Sequence, residues 1–428
     1  MKETRLPTGS SDPVSFTCTC RASDSKDGLV LLFYRYFTSS PALPTSSQDL
    51  ANDPTSLAAF HTALTQKHNL GGKIRVAKEG FNITVGGTKN EVDNYIKECL
   101  SHWSFSGLDL DTEEKQKAFF KPTIGGCACA FGGAPASIRV TAEITPMGVT
   151  NYIPERWDTI ESLSPEEFHE RCHKESKPML LDVRNYYESR IGYFIDPKSG
   201  EAALRPPIRR FSQWPQYVKK YMTDSETGDN REGRQILAYC TGGIRCEKGA
   251  RWMQENMDRR EGDRVCTLKG GIAAYLMWMD EEIKHGKKQP QDSLFRGRNY
   301  VFDARGSTGL SEETAIDPVS NCHMCGSPSD RLSKCRSQRC HLVLVICDSC
   351  ESKNPSCCQS CRDLDINEES NAQEAIRSQR PICDCERERE AQLWGAIRQK
   401  LPNSQTKKRS QIVLPVDNEI NILFKTID

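Results

Sequence analysis

The sequence has no run approaching the ~18 consecutive apolar residues that a membrane-spanning helix needs. Its longest apolar stretches, such as Leu342–Ile346, are the length of a strand. That predicts a soluble protein without membrane partners. Net charge is also missing: 58 basic side chains face 58 acidic ones in 428 residues. The balance holds locally, with 11 and 11 in residues 28–148, 23 and 21 in 160–290, and 16 and 15 in 322–428. No domain is the basic body of a strong non-specific nucleic-acid binder, so any such contact must use a local patch. The Ser/Thr-rich start carries Glu3 and Asp12 and lacks the apolar core of a secretory signal, so a cytosolic location is expected. No flavin or nicotinamide fingerprint, no facial triad for iron and no internal repeat is visible.

What is abundant is cysteine. There are 20, and nine lie in the 40 residues 322–361. In a reducing compartment such a concentration points to metal ligands or reactive thiols rather than disulfides.

At ~100–200 residues per domain the chain holds two to four domains. Residues 1–27 read as a flexible start. A first unit over 28–147 has a strand at Leu29–Tyr36 and a helix with Leu57, Phe60, Leu64 and His68 on one face. Strands at Lys73–Ala77 and Phe81–Val85 follow, then a helix over 89–102 and a closing strand at Ser137–Thr141. The order β-α-β-β-α-β is that of a ferredoxin-like α+β unit. A second unit over 160–290 opens with Ser164-Pro-Glu-Glu167, an N-cap, a proline and a capping-box acid. Its strands at Met179–Arg184, Gln235–Tyr239 and Arg264–Leu268 alternate with helices, which predicts a parallel sheet covered on both faces. Residues 291–365 hold a joining segment and the cysteine-rich module, and 366–428 a charged helix and tail. Strand-like residues at 411–415 and 420–424 have no obvious partner.

The sharpest local signal is strand, then Cys240-Thr241-Gly242-Gly243-Ile244-Arg245, then helix. A cysteine at the C-terminal edge of a parallel strand sits where α/β folds place their sites. Two glycines let successive N–H groups turn inward around an anion, and the following helix adds its positive end. The sulfur is driven toward thiolate. Arg245 reads as a cation at the rim for an anionic donor. The bland alternative, a buried inert cysteine after a glycine turn, leaves the arginine unexplained. Cys246 reads equally as a resolving thiol or as packing at the helix start.

These residues resemble a rhodanese domain: Leu181–Arg184 with Glu188, the loop Cys240 to Arg245, and Leu268–Gly271 before the last helix. The resemblance implies that Cys240 takes a sulfane sulfur from thiosulfate, mercaptopyruvate or a persulfide and passes it to an acceptor. Loop residues 241–245 would cradle that sulfur, Arg245 would orient the donor, and Asp182 and Arg184 would brace the loop. Cysteine phosphatases place five residues between cysteine and arginine; four stand here, which suits the smaller sulfur.

The similarity runs further. Lys78–Asn82 with Val85–Gly87, the loop through Lys248, Tyr300–Arg305, and Cys322 through Cys361 occur in this order in the tRNA uridine-34 hydroxylases of the rhodanese superfamily and their eukaryotic relatives. The resemblance covers about residues 28–361 and implies oxygen-dependent 5-hydroxylation of the wobble uridine. A plain sulfurtransferase and a non-catalytic scaffold are the other readings. For a tRNA partner the candidates are Arg205, Arg209 and Arg210, between the first two rhodanese strands, with Phe211, Trp214 and Tyr217 able to stack on a base or else to form core. Lys73, Arg75 and Lys78 are a second basic set, and Arg331, Lys334, Arg336 and Arg339 a third.

In the module, Cys322 and Cys325 with Cys347 and Cys350 read as one tetrahedral zinc site. The second would draw on Cys335, Cys340, Cys357 or Cys358, and Cys361, with His323 and His341 in reserve. A crossed pairing is open, as is an iron–sulfur cluster. Thiolate-rich sets close the coordination sphere, so two structural zinc ions are expected.

Overall fold

The computed structural model describes residues 27–39, 41–175, 178–222, 233–258, 261–311, 317–337, 340, 342–363 and 383–394. The strand-like segments at 411–415 and 420–424, Arg339 and His341 lie outside the described residues. So does most of the expected charged tail.

The first unit contains β1 (Gly28–Tyr36), α1 (Pro54–Lys67), β2 (Gly71–Ala77), β3 (Gly80–Thr88), α2 (Lys89–Leu100), β4 (Thr123–Ile124) and β5 (Ser137–Val140). Local chemistry sets the helix starts. Asp53 accepts hydrogen bonds from the Thr55 and Ser56 N–H groups with Pro54 behind it, and Thr88 and Glu91 form a capping box. Leu57 and Leu64 of α1 and Val92 and Tyr95 of α2 pack on Leu31, Phe33, Phe81, Ile83 and Val85 of the sheet. Burying each of the larger side chains contributes ~1.5–3 kcal/mol.

The strand order is β4-β1-β3-β2-β5. This corrects one expectation. The strand at 137–140 forms, but it pairs parallel to β2 at the far edge. The closing place beside β1 belongs to the two residues Thr123–Ile124, antiparallel to Leu29 and Val30. So short a strand carries no periodicity to read.

The second unit is a four-stranded parallel sheet. Its strands are β6 (Glu161–Leu163), β7 (Pro178–Asp182), β8 (Gln235–Tyr239) and β9 (Arg264–Leu268), in the order β6-β9-β8-β7. Helices α3 (Pro165–Lys174), α4 (Trp214–Tyr221), α5 (Ile244–Asn256) and α6 (Gly271–Lys284) cover it. Along β8, Ile236 and Ala238 face one layer with Trp214, Val218, Ala250 and Met253. Leu237 and Tyr239 face the other with Phe168, Ile272, Tyr275 and Met279. Period-two alternation with both faces apolar is why the strand is buried on each side.

The cysteine-rich module has one small hairpin, β10 (Leu332–Lys334) with β11 (Val343–Val345). Its core is Leu342, Leu344 and Ile346 packed among cysteines. Helix α7 (Asp384–Trp394) follows.

Candidate functional site: a cysteine loop roofed by the first domain

Cys240 stands directly after β8, at the C-terminal edge of the parallel sheet. The loop closes over four residues because its glycines permit what a side chain would forbid. Gly243 caps α5 with φ +97°, and a Cβ there would meet the Tyr34 hydroxyl at 2.9 Å. Gly271 has φ +66°, and its Cβ would lie 2.4 Å from the Cys240 carbonyl oxygen and 2.7 Å from the Gly243 nitrogen. The first turn of α6 ties the loop carbonyls: Ile272 N–H donates to Cys240 O (2.9 Å) and Ala273 N–H to Thr241 O (3.0 Å). The Gly243 N–H points the other way and donates to Cys240 Sγ at 3.2 Å.

Burial by itself pushes the Cys240 thiol up. The Cys246 thiol donating to it, the Arg245 charge, and the N–H groups of Cys246 and Gly243 outweigh that and bring it from 9.0 down to about 6. Burial, with the bond and charge of Cys240, drives Cys246 the opposite way, well above 9.0. The pair is therefore one thiolate and one thiol at neutral pH.

Arg245 does not stand at an open rim. It is buried and joined side by side to Glu188, Nη1–Oε1 and Nη2–Oε2 both 2.7 Å. Its Nη2 also donates to the Thr241 hydroxyl at 2.9 Å. A guanidinium this deep needs a carboxylate partner, and the turn after β7 supplies it. Asp182 and Arg184 are likewise a sealed pair (2.7 Å). Arg184 donates to the Gly192 carbonyl at 2.5 Å, so the pair braces the neighbouring Gly192–Phe194 strand rather than the cysteine loop itself.

The loop is roofed from the first domain. Leu32 and Tyr34, on the face of β1 opposite its core, lie over Gly242 and Gly243. Tyr34 donates to Glu247 (3.4 Å) and Tyr36 to the Ile244 carbonyl (3.3 Å). Lys248 of α5 is buried between Glu79 (2.9 Å) and Glu143 (2.8 Å), which clamps the two units together. Lys121 sits left-handed (φ 47°) under the same roof, its Nζ donating to Phe119 O (2.8 Å) and lying 5.8 Å from the Tyr34 ring. Burial lowers its ammonium, the Cys240 charge opposes, and it settles at about 7. Sequence reasoning missed Lys121, because nothing in Phe119–Pro122 marks it. The apolar second face of β1 was a usable sign that something packs there. Cys240 itself is 0% exposed, so a donor must displace roof side chains to reach the sulfur.

Beside the loop runs the segment 300–305. Arg305 pairs with Asp303 (2.8 Å) and donates to Thr123 Oγ1 of β4 (2.9 Å). Phe302, just before Asp303, is 46% exposed, its ring 5.9 Å from the Arg245 guanidinium, and its carbonyl accepts from Lys73 Nζ at 2.8 Å. Lys73 and Arg75 share the exposed side of β2, Arg139 stands in register with Arg75, and Lys334 of the module acts electrostatically on Lys73. Lys334 of the third expected basic set therefore lies near Lys73 of the second. The first set does less: Arg205 lies over the Tyr193 ring (4.4 Å), Arg209 pairs with Glu386 (2.8 Å), and only Arg210 is exposed. Phe211, Trp214 and Tyr217 are core, which removes them as base-stacking residues. Arg331 and Arg336 both pair with Glu351.

In the module the sulfurs of Cys322, Cys325, Cys347 and Cys350 lie within 4.8 Å of one another, as do those of Cys335, Cys340, Cys357 and Cys361. A third grouping joins Cys357, Cys358 and Cys361 to Cys383. Cys325 and Cys347 are 3.5 Å apart, and Cys357 and Cys361 3.4 Å. Four thiolates about 2.3 Å from one ion stand about 3.8 Å apart, so the donor sets fit a tetrahedral thiophilic metal. His323 instead contacts the Cys357 carbonyl oxygen (3.1 Å).

Comparison with known proteins gives these features a family. Residues 29–124 match the UPF0176 acylphosphatase like domain, 164–277 the Rhodanese-like domain, and 296–362 the Rhodanase C-terminal model. The chain is thus a rhodanese-domain protein of the sulfurtransferase-type enzymes. It is 31% identical over 335 residues to the tRNA uridine(34) hydroxylase of Staphylococcus haemolyticus, covering 78% of this chain and 88% of that one. The Staphylococcus carnosus tRNA uridine(34) hydroxylase is 30% identical over 348 residues, 80% of this chain and 92% of that one. Rhodanese-like domain-containing protein 6 of Arabidopsis thaliana is 29% identical over 385 residues, 85% of this chain but only 60% of the plant protein. The chain belongs to the tRNA uridine(34) hydroxylase family of rhodanese-domain proteins. Among its described residues no helix is long and apolar enough to cross a membrane.

Proposed function

We propose that this protein is a cytosolic enzyme that carries sulfane sulfur on Cys240 and acts on the wobble uridine-34 of tRNA. The observation that carries the reading is the Cys240 sulfur accepting the Gly243 N–H at 3.2 Å, where this bond and the Arg245 charge favour the thiolate. In the loading step the thiolate attacks the outer sulfur of a donor such as thiosulfate. The new S–S bond forms on Cys240, the donor S–S bond breaks, and sulfite leaves with the electron pair. Inward N–H groups then face the terminal persulfide charge. Glu188 keeps Arg245 fixed, and the roof excludes water.

What supports the tRNA part is the relatives' activity together with Phe302, an exposed ring beside the loop with Lys73, Arg75 and Arg139 nearby. An unpaired base can stack on such a ring while the cations take phosphates. We assign zinc to the cysteine clusters, closed by thiolates and supplying folding energy to a module with little apolar core.

Two measurements test this. Intact-mass spectra after thiosulfate treatment are expected to show one added sulfur, lost in Cys240→Ser; an adduct that survives the substitution overturns the carrier role. Nucleoside analysis of tRNA from cells lacking the protein is expected to show loss of 5-oxidised wobble uridine. Unchanged nucleosides would leave a plain sulfurtransferase, which the four-residue spacing between Cys240 and Arg245 also fits.

A further inference from the structure

Two of the three cysteine groupings are not separate sites. Cys335, Cys340, Cys357 and Cys361 form one, and Cys357, Cys358, Cys361 and Cys383 the other, so both use Cys357 and Cys361. Two independent tetrahedral sites need eight sulfurs, and these groupings together hold six. Around Cys357 Sγ stand Cys361 at 3.4 Å, Cys383 at 3.6 Å, Cys358 at 3.7 Å and Cys340 at 3.9 Å. Cys335 Sγ adjoins them, accepting the Cys357 N–H at 3.3 Å. Those separations bracket the ~3.8 Å edge of a zinc–thiolate tetrahedron. A sulfur with such neighbours on both sides occupies the shared corner of two tetrahedra.

We propose that Cys335, Cys340, Cys357, Cys358, Cys361 and Cys383 form a binuclear cluster for two divalent, zinc-type cations, bridged by the sulfurs of Cys357 and Cys361. Cys335 and Cys340 complete one tetrahedron, and Cys358 and Cys383 the other. With the Cys322 set the chain then holds three ions instead of two. Each thiol releases its proton to solvent on loading, and no electron is transferred.

The second ion has a specific mechanical role. Cys383 lies beyond residue 362, where the Rhodanase C-terminal match ends, and immediately before α7. The opening of α7, Asp384-Cys-Glu-Arg-Glu-Arg-Glu390, has almost no apolar surface with which to dock itself. Yet it rests on the rhodanese unit: Glu386 pairs with Arg209 at 2.8 Å, and the Arg389 guanidinium lies 5.9 Å from the Tyr186 ring. Tyr186 is two residues from Glu188, the partner of Arg245. The cluster supplies the anchor that the helix sequence lacks, and it fastens a segment outside the family match beside the element that positions the active-site arginine.

The test uses the full chain loaded with cadmium-113. Three metal resonances are expected, two of them split by coupling to each other through the shared sulfurs and the third unsplit. Two unsplit resonances, or iron with visible absorption in the zinc-grown protein, would overturn the proposal. The Cys385 thiol also bonds to Cys357 and can stand in for Cys383, so the double variant Cys383→Ser, Cys385→Ser is the one expected to lose one ion by native mass spectrometry while the Cys322 resonance persists. An unchanged metal count in that variant would also overturn it. The cadmium spectrum of the unaltered chain decides the matter even where the variant fails to fold.

Discussion

The guanidinium of Arg245 and the carboxylate of Glu188 meet in a bidentate pair, both contacts 2.7 Å, sealed beneath the cysteine loop. Thr241 bridges them, accepting from Arg245 at 2.9 Å and donating to Glu188 at 3.1 Å. The cation that holds Cys240 ionised is thus itself held by an anion 57 residues earlier in the chain. Removing one partner strands a buried charge, a loss of ~3–5 kcal/mol. Glu188→Gln is expected to lower stability by about that amount in urea denaturation. The double variant Glu188→Gln, Arg245→Met is expected to cost less than the two single changes summed.

Cys240 sits below its ordinary 9.0, at about 6. The thiolate absorbance of the folded protein, taken as the difference from Cys240→Ser, is expected to reach half its amplitude near pH 6 and to be flat above. Because the group is depressed on folding, its contribution to stability is full above the ordinary thiol range and is lost as pH falls through 6. Cys246→Ala removes a donor and is expected to move the midpoint up, whereas Cys246→Ser keeps an O–H donor and moves it less.

Lys121 gives a second, separable titration. Its ammonium is lowered by burial to about 7. In the window between 7 and ~10.4 the unfolded chain binds the extra proton, so this group's contribution rises with pH there and is lowest below 7. Denaturation of wild type and Lys121→Met as a function of pH is expected to show that slope only in the wild type.

Lys248 joins the two domains through Glu79 and Glu143. Lys248→Met leaves two carboxylates facing an apolar chain. A destabilisation of ~3 kcal/mol is expected, the low end for a broken buried pair because Glu79 keeps some contact with solvent. Differential scanning calorimetry that shows the two domains melting apart in the variant would mark Lys248 as the clamp.

Phe302 is exposed and carries little of the fold. Phe302→Ala is expected to leave thiosulfate loading of Cys240 unchanged and to weaken tRNA binding by ~1–3 kcal/mol, the worth of one base stacked on a ring. Equal tRNA affinity in the two proteins would remove the ring from the proposed interface.

Much of the fold was legible because its signals are local. The capping box Ser164–Glu167, the alternation along Gln235–Tyr239 and the glycines after Cys240 each depend on neighbours within a few residues. The strand at 137–140 was legible as a strand but not as an edge partner of β2, since pairing joins residues 64 apart and leaves no local mark. Cys322, Cys325, Cys347 and Cys350 announced themselves by spacing, whereas the sharing of Cys357 and Cys361 with Cys383 depends on how the chain returns.

The sequence by itself determined the helix and strand periods, the loop with its thiol, and the supply of sulfur ligands. Only the tertiary structure decided that Arg245 faces inward to Glu188, that Leu32 and Tyr34 roof the loop with Lys121 beneath, and that Phe211, Trp214 and Tyr217 are core. The reason is physical. Conformational preference acts over one or two turns of chain, but charge pairing and burial act through space, between residues that folding alone brings within a few ångströms.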